Sequence, residues 1–543
     1  MMARLYLTAH PYGVNAIGYQ GIDERVHDQI EARGDRMLTH KNSIQRKWHR
    51  RAQLVIFGFV VTVFSSCSKS ESTDMSFLAL LGGAAGGEPT AIWARSVVEG
   101  AEASEFRAVT LTADGSLYAV GYQEGSGTYS YSDAVSVQGA SVYENGLLIK
   151  FNGDGVAQWA RSSVVGTRQS EFNAIAIDGA GNIYVAGQQT GTGTFQYGAG
   201  VSATGSSTYE NALIVKYSPD GEAIWAKSPT GSGARSAFYG LAIDGDGNVY
   251  AAGYQGQSSL DYGNGVSVDP GSLTNAPVLV KFDPSGDAIW GRSTTAGPNA
   301  SAAFHAVAMS GSDVVVVGYQ YGNSVFQYGA VNATGAVSNR RNALLISYSN
   351  AGTAQWARSV FSGTDESSFD NVSVDSHGRI YAAGYQTGSG RYTYDAAGSV
   401  GVANSTSYSN NIGALLVRYS SDGTADLALG ASSEQYDARF RAISVDESDS
   451  IITAGSVECS NVGVPCQYML RKSSSAGSLQ WTRTSVPTFS NWRSIFYGVA
   501  AASNGDIIAV GHQFDDRPYS YGAGVEVAGS SNDDNAIIVR FRP

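Results

Sequence analysis

Charge is scarce in this chain: Asp, Glu, Lys and Arg make up 15% of its 543 residues, a composition that suits short strands and tight turns better than helices. Cysteine is down to three residues, Cys67, Cys459 and Cys466. The apolar run from Leu54 to Phe64 falls short of the roughly 20 residues that a bilayer-spanning helix needs, so a membrane-spanning segment is not expected there. What the chain has in quantity is glycine (66) and tyrosine (31). An all-β protein is expected.

The front end has a character of its own. Arg46, Lys47, Arg50 and Arg51 precede the Leu54–Phe64 run, which ends in Ser65, Ser66 and Cys67. A basic stretch, an apolar core of about a dozen residues and small residues before a cut read as an export peptide. The ending resembles the lipobox of bacterial lipoproteins, with Phe64 where leucine is usual. That resemblance implies that Cys67 becomes the new N-terminus and carries the acyl chains, palmitate among them. Residues 37–66 are then the signal, residues 1–36 an upstream extension called in error, and residues 67–89, with Gly82, Gly83, Gly86 and Gly87, a flexible tether. The expected location is the cell envelope, on an outer-membrane lipoprotein facing the surface or the periplasm.

Beyond residue 66 the chain carries 26 Lys and Arg against 42 Asp and Glu, a net charge of −16. Such a field repels phosphate backbones, so nucleic acid is not an expected partner. In an oxidising compartment Cys459 and Cys466 are close enough in sequence to form a disulfide.

A tryptophan returns at Trp93, Trp159, Trp225, Trp290 and Trp356, and a phenylalanine opens a segment at Phe106, Phe172, Phe238, Phe304, Phe369, Phe440 and Phe496. A fixed period of this length marks one supersecondary unit used repeatedly and packed on its neighbours. In the second unit, Phe172–Ile177 and Ile183–Gly187 flank the turn Asp178-Gly179-Ala180-Gly181-Asn182, which reads as a β-hairpin. Ala212–Tyr217 and Ala223–Lys227 flank Ser218-Pro219-Asp220-Gly221 as a second. Four strands make a blade. Ala174 and Ala176 alternate with Ile175 and Ile177, so each sheet offers a small face and a large one, suited to face-to-face packing around an axis. The chain enters the array on a fourth strand, Ala91–Ser96, and ends on a third, Asn535–Pro543. Pairing these two would close a ring and hide two open edges.

The repeated Asp-x-x-Gly-Asn-(Ile/Val)-Tyr-x-x-Gly, as at Asp178–Gly187, followed by Lys-(Tyr/Phe)-x-Pro-x-Gly and tryptophan, resembles the seven-bladed β-propeller repeat family of bacterial exported proteins. The resemblance covers residues 90–543. It implies seven four-stranded antiparallel blades closed by the N-terminal strand, and it carries over no catalytic residues.

Candidate binding residues follow the second strand of each blade, which ends Gly-Tyr-Gln or a variant: Tyr122 and Gln123, Tyr254 and Gln255, Tyr319 and Gln320, Tyr385 and Gln386, His512 and Gln513. These amides and phenols could bind a glycan or peptide, or bond and pack between blades. Loops of about twenty residues after these strands carry aromatic pairs such as Phe195 and Tyr197, available for recognition or for capping the blades. The basic residues two after each tryptophan, Arg95, Arg161, Lys227, Arg292, Arg358 and Arg483, suit stacking or rim salt bridges. The sixth blade has Leu427 in place of tryptophan and the two late cysteines, and Phe489 with Trp492 follows it as a candidate anchor. His305, His377 and His512 form no triad, and Asp244–Asn248 looks like a calcium loop without its downstream acid. No cofactor or metal is expected. The expected function is non-catalytic binding of a protein or glycan through the loop face. A periplasmic scaffold for envelope assembly is the alternative, and a lyase or hydrolase using the central channel the rival class.

Overall fold

The computed structural model describes residues 89–231, 233–295, 300–403, 412–431, 436–459, 466–485 and 493–543, without the side chains of Tyr436, Glu458 and Cys459. They belong to one of the chain's two compact units, Phe77–Pro543. Cys67, Phe489, Trp492, the export peptide and all of the tether but Pro89 lie outside the described residues, as does the side chain that Cys459 would offer to Cys466.

Every regular element among the described residues is a strand. Seven sheets have four antiparallel strands each. The second sheet is Ser170–Ile177, Ile183–Thr190, Glu210–Tyr217 and Ala223–Lys227, the two expected hairpins with their ends extended. Its first turn forms because the Asp178 carboxylate accepts from the amides of Ala180 and Asn182, both at 2.9 Å, while Gly181 takes φ 84°, a value glycine adopts without strain. In the seventh sheet, Ser494–Ala501, Ile507–Phe514 and Asp534–Arg542 are completed by the first strand, Thr90–Ser96. Ala91 pairs with Phe541 and Ser96 with Ile537, as the two incomplete ends of the array suggest.

The small and large faces meet between sheets. An added Cβ on Gly240 would come within 2.8 Å of the Ala306 Cα, and one on Gly498 within 3.0 Å of the Ala108 Cα, so first strands of successive sheets touch backbone to backbone, the seventh with the first. On the outer strands each tryptophan reaches the next sheet: Trp290 Nε1 donates to the Asn350 carbonyl at 3.1 Å. Arg292, 5.0 Å over that same ring, donates to the Gly352 carbonyl at 2.6 Å. Arg161 and Arg358 repeat the arrangement. In these three the basic residue stacks on its own tryptophan and also ties down the neighbouring turn, whereas Arg483 lies over Phe541.

The long loops are mostly small two-stranded hairpins, such as Thr194–Gly198 with Val201–Thr204. Their aromatic pairs are buried: Phe195, Tyr197, Phe326, Tyr328, Tyr392, Tyr394, Tyr519 and Tyr521 are all 2% exposed or less. Of the two roles open to these rings, burial supports capping.

Candidate functional site

The marker phenylalanine does more than begin a strand. In every sheet the pairing of the first strand with the second shifts just after it: Phe106 faces Gly121 and the next paired residue is Ala108, opposite Val120, with the same break at Phe172, Phe238, Phe304, Phe369, Phe440 and Phe496. A bulge leaves one residue out of the ladder and re-aims its side chain. The seven residues so released are Arg107, Asn173, Tyr239, His305, Asp370, Arg441 and Tyr497. All are half-buried, whereas the phenylalanines are 1% exposed at most. The bulges also account for the glycine of the Gly-Tyr-Gln signature. A Cβ at Gly121, Gly318 or Gly511 would fall 1.8–2.0 Å from a carbonyl oxygen of the first strand.

These polar side chains are linked from sheet to sheet. Arg107 reaches Asn173 at 2.5 Å, and Asn173 donates to the Phe238 carbonyl at 3.1 Å. Tyr239 lies edge-on to His305, 6.1 Å between centroids. His305 Nδ1 is 3.0 Å from the Phe369 carbonyl and 3.5 Å from Asp370. Asp370 pairs with Arg439 at 2.6 Å, Arg441 sits 5.0 Å over Tyr497, and Tyr497 is 5.5 Å from His512. His512 then meets Glu105 of the first sheet at 3.0 Å.

Two electrostatic neighbourhoods result. Around the first and second sheets, Arg107 is held by Glu105 at 3.0 Å and Glu171 at 2.6 Å. Burial favours the protonated form of both acids. It prevails at Glu171, whose carboxyl is pushed above the usual range despite Arg107; at Glu105, bonds from His512 and the charge of Arg107 outweigh it and lower the value. Around the third to fifth sheets the lining is aromatic. Tyr239 stacks on Tyr254 at 5.8 Å, His305 lies 5.4 Å from Tyr319, and Arg341 covers Tyr319 at 4.5 Å. Burial raises the Tyr254 phenol to about 12 and the Tyr239 phenol well above its ordinary value. Desolvation raises the Asp370 carboxyl as well, but Arg439 and His305 outweigh it and hold the group far below the usual carboxylate range.

The structure thus brings Tyr122, Tyr254, Tyr319, Tyr385 and His512 alongside the bulge residues: Tyr122 pairs with Glu105, and Tyr254 with Ala237. The glutamines are elsewhere. Gln123, Gln255, Gln320, Gln386 and Gln513 are wholly buried. Four of them accept a tyrosine hydroxyl from the hairpin above and donate to its backbone: Tyr131 to Gln123 at 3.0 Å, Tyr262 to Gln255 at 3.0 Å, Tyr394 to Gln386 at 3.1 Å and Tyr521 to Gln513 at 3.0 Å. These four pin hairpins, which supports packing of the two roles left open for this half of the signature. The bulge residues were missed by sequence reasoning, although the signal was present: whatever follows the marker phenylalanine is polar or aromatic and differs from repeat to repeat.

Two other groupings do not suit a metal. Asp375, His377 and Asp449 converge, but Arg379 already lies 2.5 Å from Asp375 and 3.3 Å from Asp449, supplying the positive charge. In the calcium-like turn, the Asp244 carboxylate is taken by Asn248, Tyr250 and Lys281.

No family model matches the chain. A stretch of 175 residues is 30% identical to an uncharacterized WD repeat-containing protein of Acanthamoeba polyphaga mimivirus, covering 26% of this chain and 12% of that relative's length. Among solved structures, a polysaccharide lyase active on ulvan is similar at 11% identity and TM-score 0.39, over 82% of this chain and 96% of that one. The periplasmic gluconolactonase of Pseudomonas aeruginosa is similar at 13% and 0.39, over 81% and 99%. An apocarotenoid oxygenase of Synechocystis is similar at 11% and 0.36, over 77% and 88%. Likenesses this distant do not bear on the chemistry of the residues described above.

Proposed function

We propose that this chain is an exported, lipid-anchored seven-bladed β-propeller that binds a glycan or protein partner at its loop face, around the mouth of a central channel. The seven sheets, the pairing of Thr90–Ser96 onto Asp534–Arg542 and the sheet-to-sheet contacts that lead from Arg107 back to Glu105 support a closed ring. The observation that carries the binding role is the set of bulge residues. A ring that needed only to pack would repeat one side chain seven times, as it does with phenylalanine and glycine. Here seven positions hold Arg, Asn, Tyr, His, Asp, Arg and Tyr, a varied and half-exposed surface of the kind that recognises one orientation of a ligand. The test is an array of glycans and peptides probed with the detergent-solubilised full chain and with Tyr239→Ala and Asn173→Ala variants. Binding that both variants lose supports the reading. Binding that neither changes moves the site away from the mouth.

One observation favours catalysis as a second reading. His305 presents Nδ1 to the Phe369 carbonyl and Asp370, an arrangement that leaves Nε2 facing outward as a base, with the Tyr239 and Tyr319 rings beside it. Turnover of a bound ligand by the wild type, abolished in His305→Gln with binding retained, would select this reading over plain binding.

A further inference from the structure

The cations around the mouth are not equivalent. Arg107 is saturated by two glutamates and Asn173, and Arg439 makes two bonds to Asp370, at 2.6 and 3.0 Å. Arg341 differs. Its nearest carboxylate, Glu366, is 3.8 Å away, and the Arg341 side chain is 42% exposed. Glu366 Oε1 is already occupied at 2.5 Å by the Tyr385 hydroxyl. The guanidinium rests 4.5 Å over the Tyr319 ring with the Tyr385 hydroxyl beside it, an arrangement that stacks the plane and leaves part of the five-donor fork for a ligand.

What adjoins this cation is a shelf of aromatic surface. Tyr319, His305, Tyr239 and Tyr254 follow one another at 5.4, 6.1 and 5.8 Å between centroids, the last pair nearly parallel at 19°. With Nδ1 directed at a carbonyl, neutral His305 carries its proton there and Nε2 accepts a bond from a ligand hydroxyl. Half-exposed phenols beside a hydroxyl acceptor suit a sugar ring, which has an apolar C–H face and a hydroxylated edge. The guanidinium edge suits a planar or tetrahedral anion bound through two N–H groups.

We propose that Tyr239, Tyr254, His305, Tyr319 and Arg341 form an off-axis subsite for an acidic saccharide, with its ring on the phenols and its carboxylate or sulfate on Arg341. The proposal rests on the reading of the loop face as a binding surface and adds the class of ligand. Arg107 and Arg439, being neutralised, do not compete for the anion, and Arg441 lies over Tyr497, on the sixth and seventh sheets. The overall negative charge of the chain makes the site selective, because only an anion placed on Arg341 escapes the surrounding repulsion.

The experiment is calorimetric titration of the detergent-solubilised full chain with three oligosaccharides of equal length: one bearing uronate, one bearing sulfate and one neutral. The acidic ligand is expected to bind roughly tenfold or more tightly than the neutral one, with the advantage shrinking as salt rises. Arg341→Gln removes that advantage and leaves neutral binding where it was. Arg341→Lys, which keeps the charge but not the fork, restores only part of it. Tyr254→Ala weakens all three ligands together, and Arg168→Gln, an exposed cation away from the shelf, changes nothing. The carboxylate and sulfate arms decide which anion is preferred. Equal binding of acidic and neutral ligands, or an Arg341→Gln protein indistinguishable from wild type, overturns the proposal. Absence of binding to all three overturns it as well; the broader reading then rests on the peptide arm of the array, which fails only if Tyr239→Ala and Asn173→Ala leave every captured ligand in place.

Discussion

His512 and Glu105 stand 407 positions apart in the chain, yet His512 Nδ1 lies 3.0 Å from the Glu105 carboxylate. The pair joins the seventh sheet to the first, next to the strand pairing that brings residues 90–96 onto the end of the chain. Both residues are buried, and Glu105 also holds Arg107. Glu105→Gln therefore removes the carboxylate that His512 and the half-buried Arg107 share, leaving Arg107 with Glu171 alone, which costs about 1–3 kcal/mol. His377, whose side chain is 68% exposed beside Asp449, provides the contrast: His377→Gln is expected to change stability by about 0.5 kcal/mol or less. Urea midpoints of the two variants measure the difference, and equal midpoints would mean that the junction contributes nothing to closure.

Gly318 tests whether the bulges are obligatory. A Cβ there would sit 2.0 Å from the Ala303 carbonyl oxygen, in the buried middle of its strand, where the backbone has no room to withdraw. Gly318→Ala is expected to cost about 3 kcal/mol or more, or to prevent accumulation of the protein. Gly179, in an exposed turn with nothing near its Cβ position, accepts alanine within about 0.5 kcal/mol. Thermal melts of the pair give the comparison, and a Gly318→Ala protein that melts with wild type would show that the first strand can shed its bulge.

The contrast between these glycines shows what the sequence could reveal. Strand boundaries, turns and the pairing of the chain's ends were legible because they depend on local patterns: alternation in Ala174–Ile177, the Asx turn at Asp178, the unpaired strands at either end. The glutamines were legible as a repeat but not as a role. Gln189 is buried only because Tyr197, eight residues on, folds back to donate to it at 2.8 Å, a contact set by the tilt of a hairpin and not by spacing. The bulge residues were hidden for a different reason. Period-two alternation assigns Arg107 and Tyr239 to a face by counting, and a bulge breaks the count at that residue. The aromatic shelf needs side chains from two sheets, 65 or so positions apart, and no single repeat contains it.

Asp370 gives the mouth a signature in acid. Its folded-state value is depressed, because Arg439 and His305 outweigh the effect of burial. A depressed carboxylate contributes stability that is fully present above its unfolded value, about 3.9, and is lost as pH falls below it toward the folded value. Wild-type stability should therefore drop between about pH 4 and pH 2 with a slope that Asp370→Asn lacks. At pH 7 the variant is the weaker protein, since Arg439 loses its partner; on acidification the two curves converge. Urea midpoints at pH 7, 4 and 3 follow this, and parallel curves would show that Asp370 titrates alike in the folded and unfolded chain.

The anchor and the orientation of the loop face are decided together. If Cys67 carries the acyl chains, metabolic labelling with an alkyne-bearing palmitate marks the wild type and not Cys67→Ser, and the variant leaves the membrane pellet for the soluble fraction. A lipid on Cys67 would keep the array at the membrane, and the side of that membrane would then set which partners can reach the loop face. Protease added to intact cells, with the C-terminal sheet followed by antibody and the purified protein as the cleavage control, separates the cases. Cleavage in intact cells puts the Tyr239 shelf within reach of extracellular glycans, acidic saccharides among them. Protection until the outer membrane is opened confines the shelf to the periplasm, and the scaffold reading, with a protein seated on the same mouth, then becomes the better account. An unlabelled wild type that pellets nonetheless would show that the membrane is held by something other than Cys67.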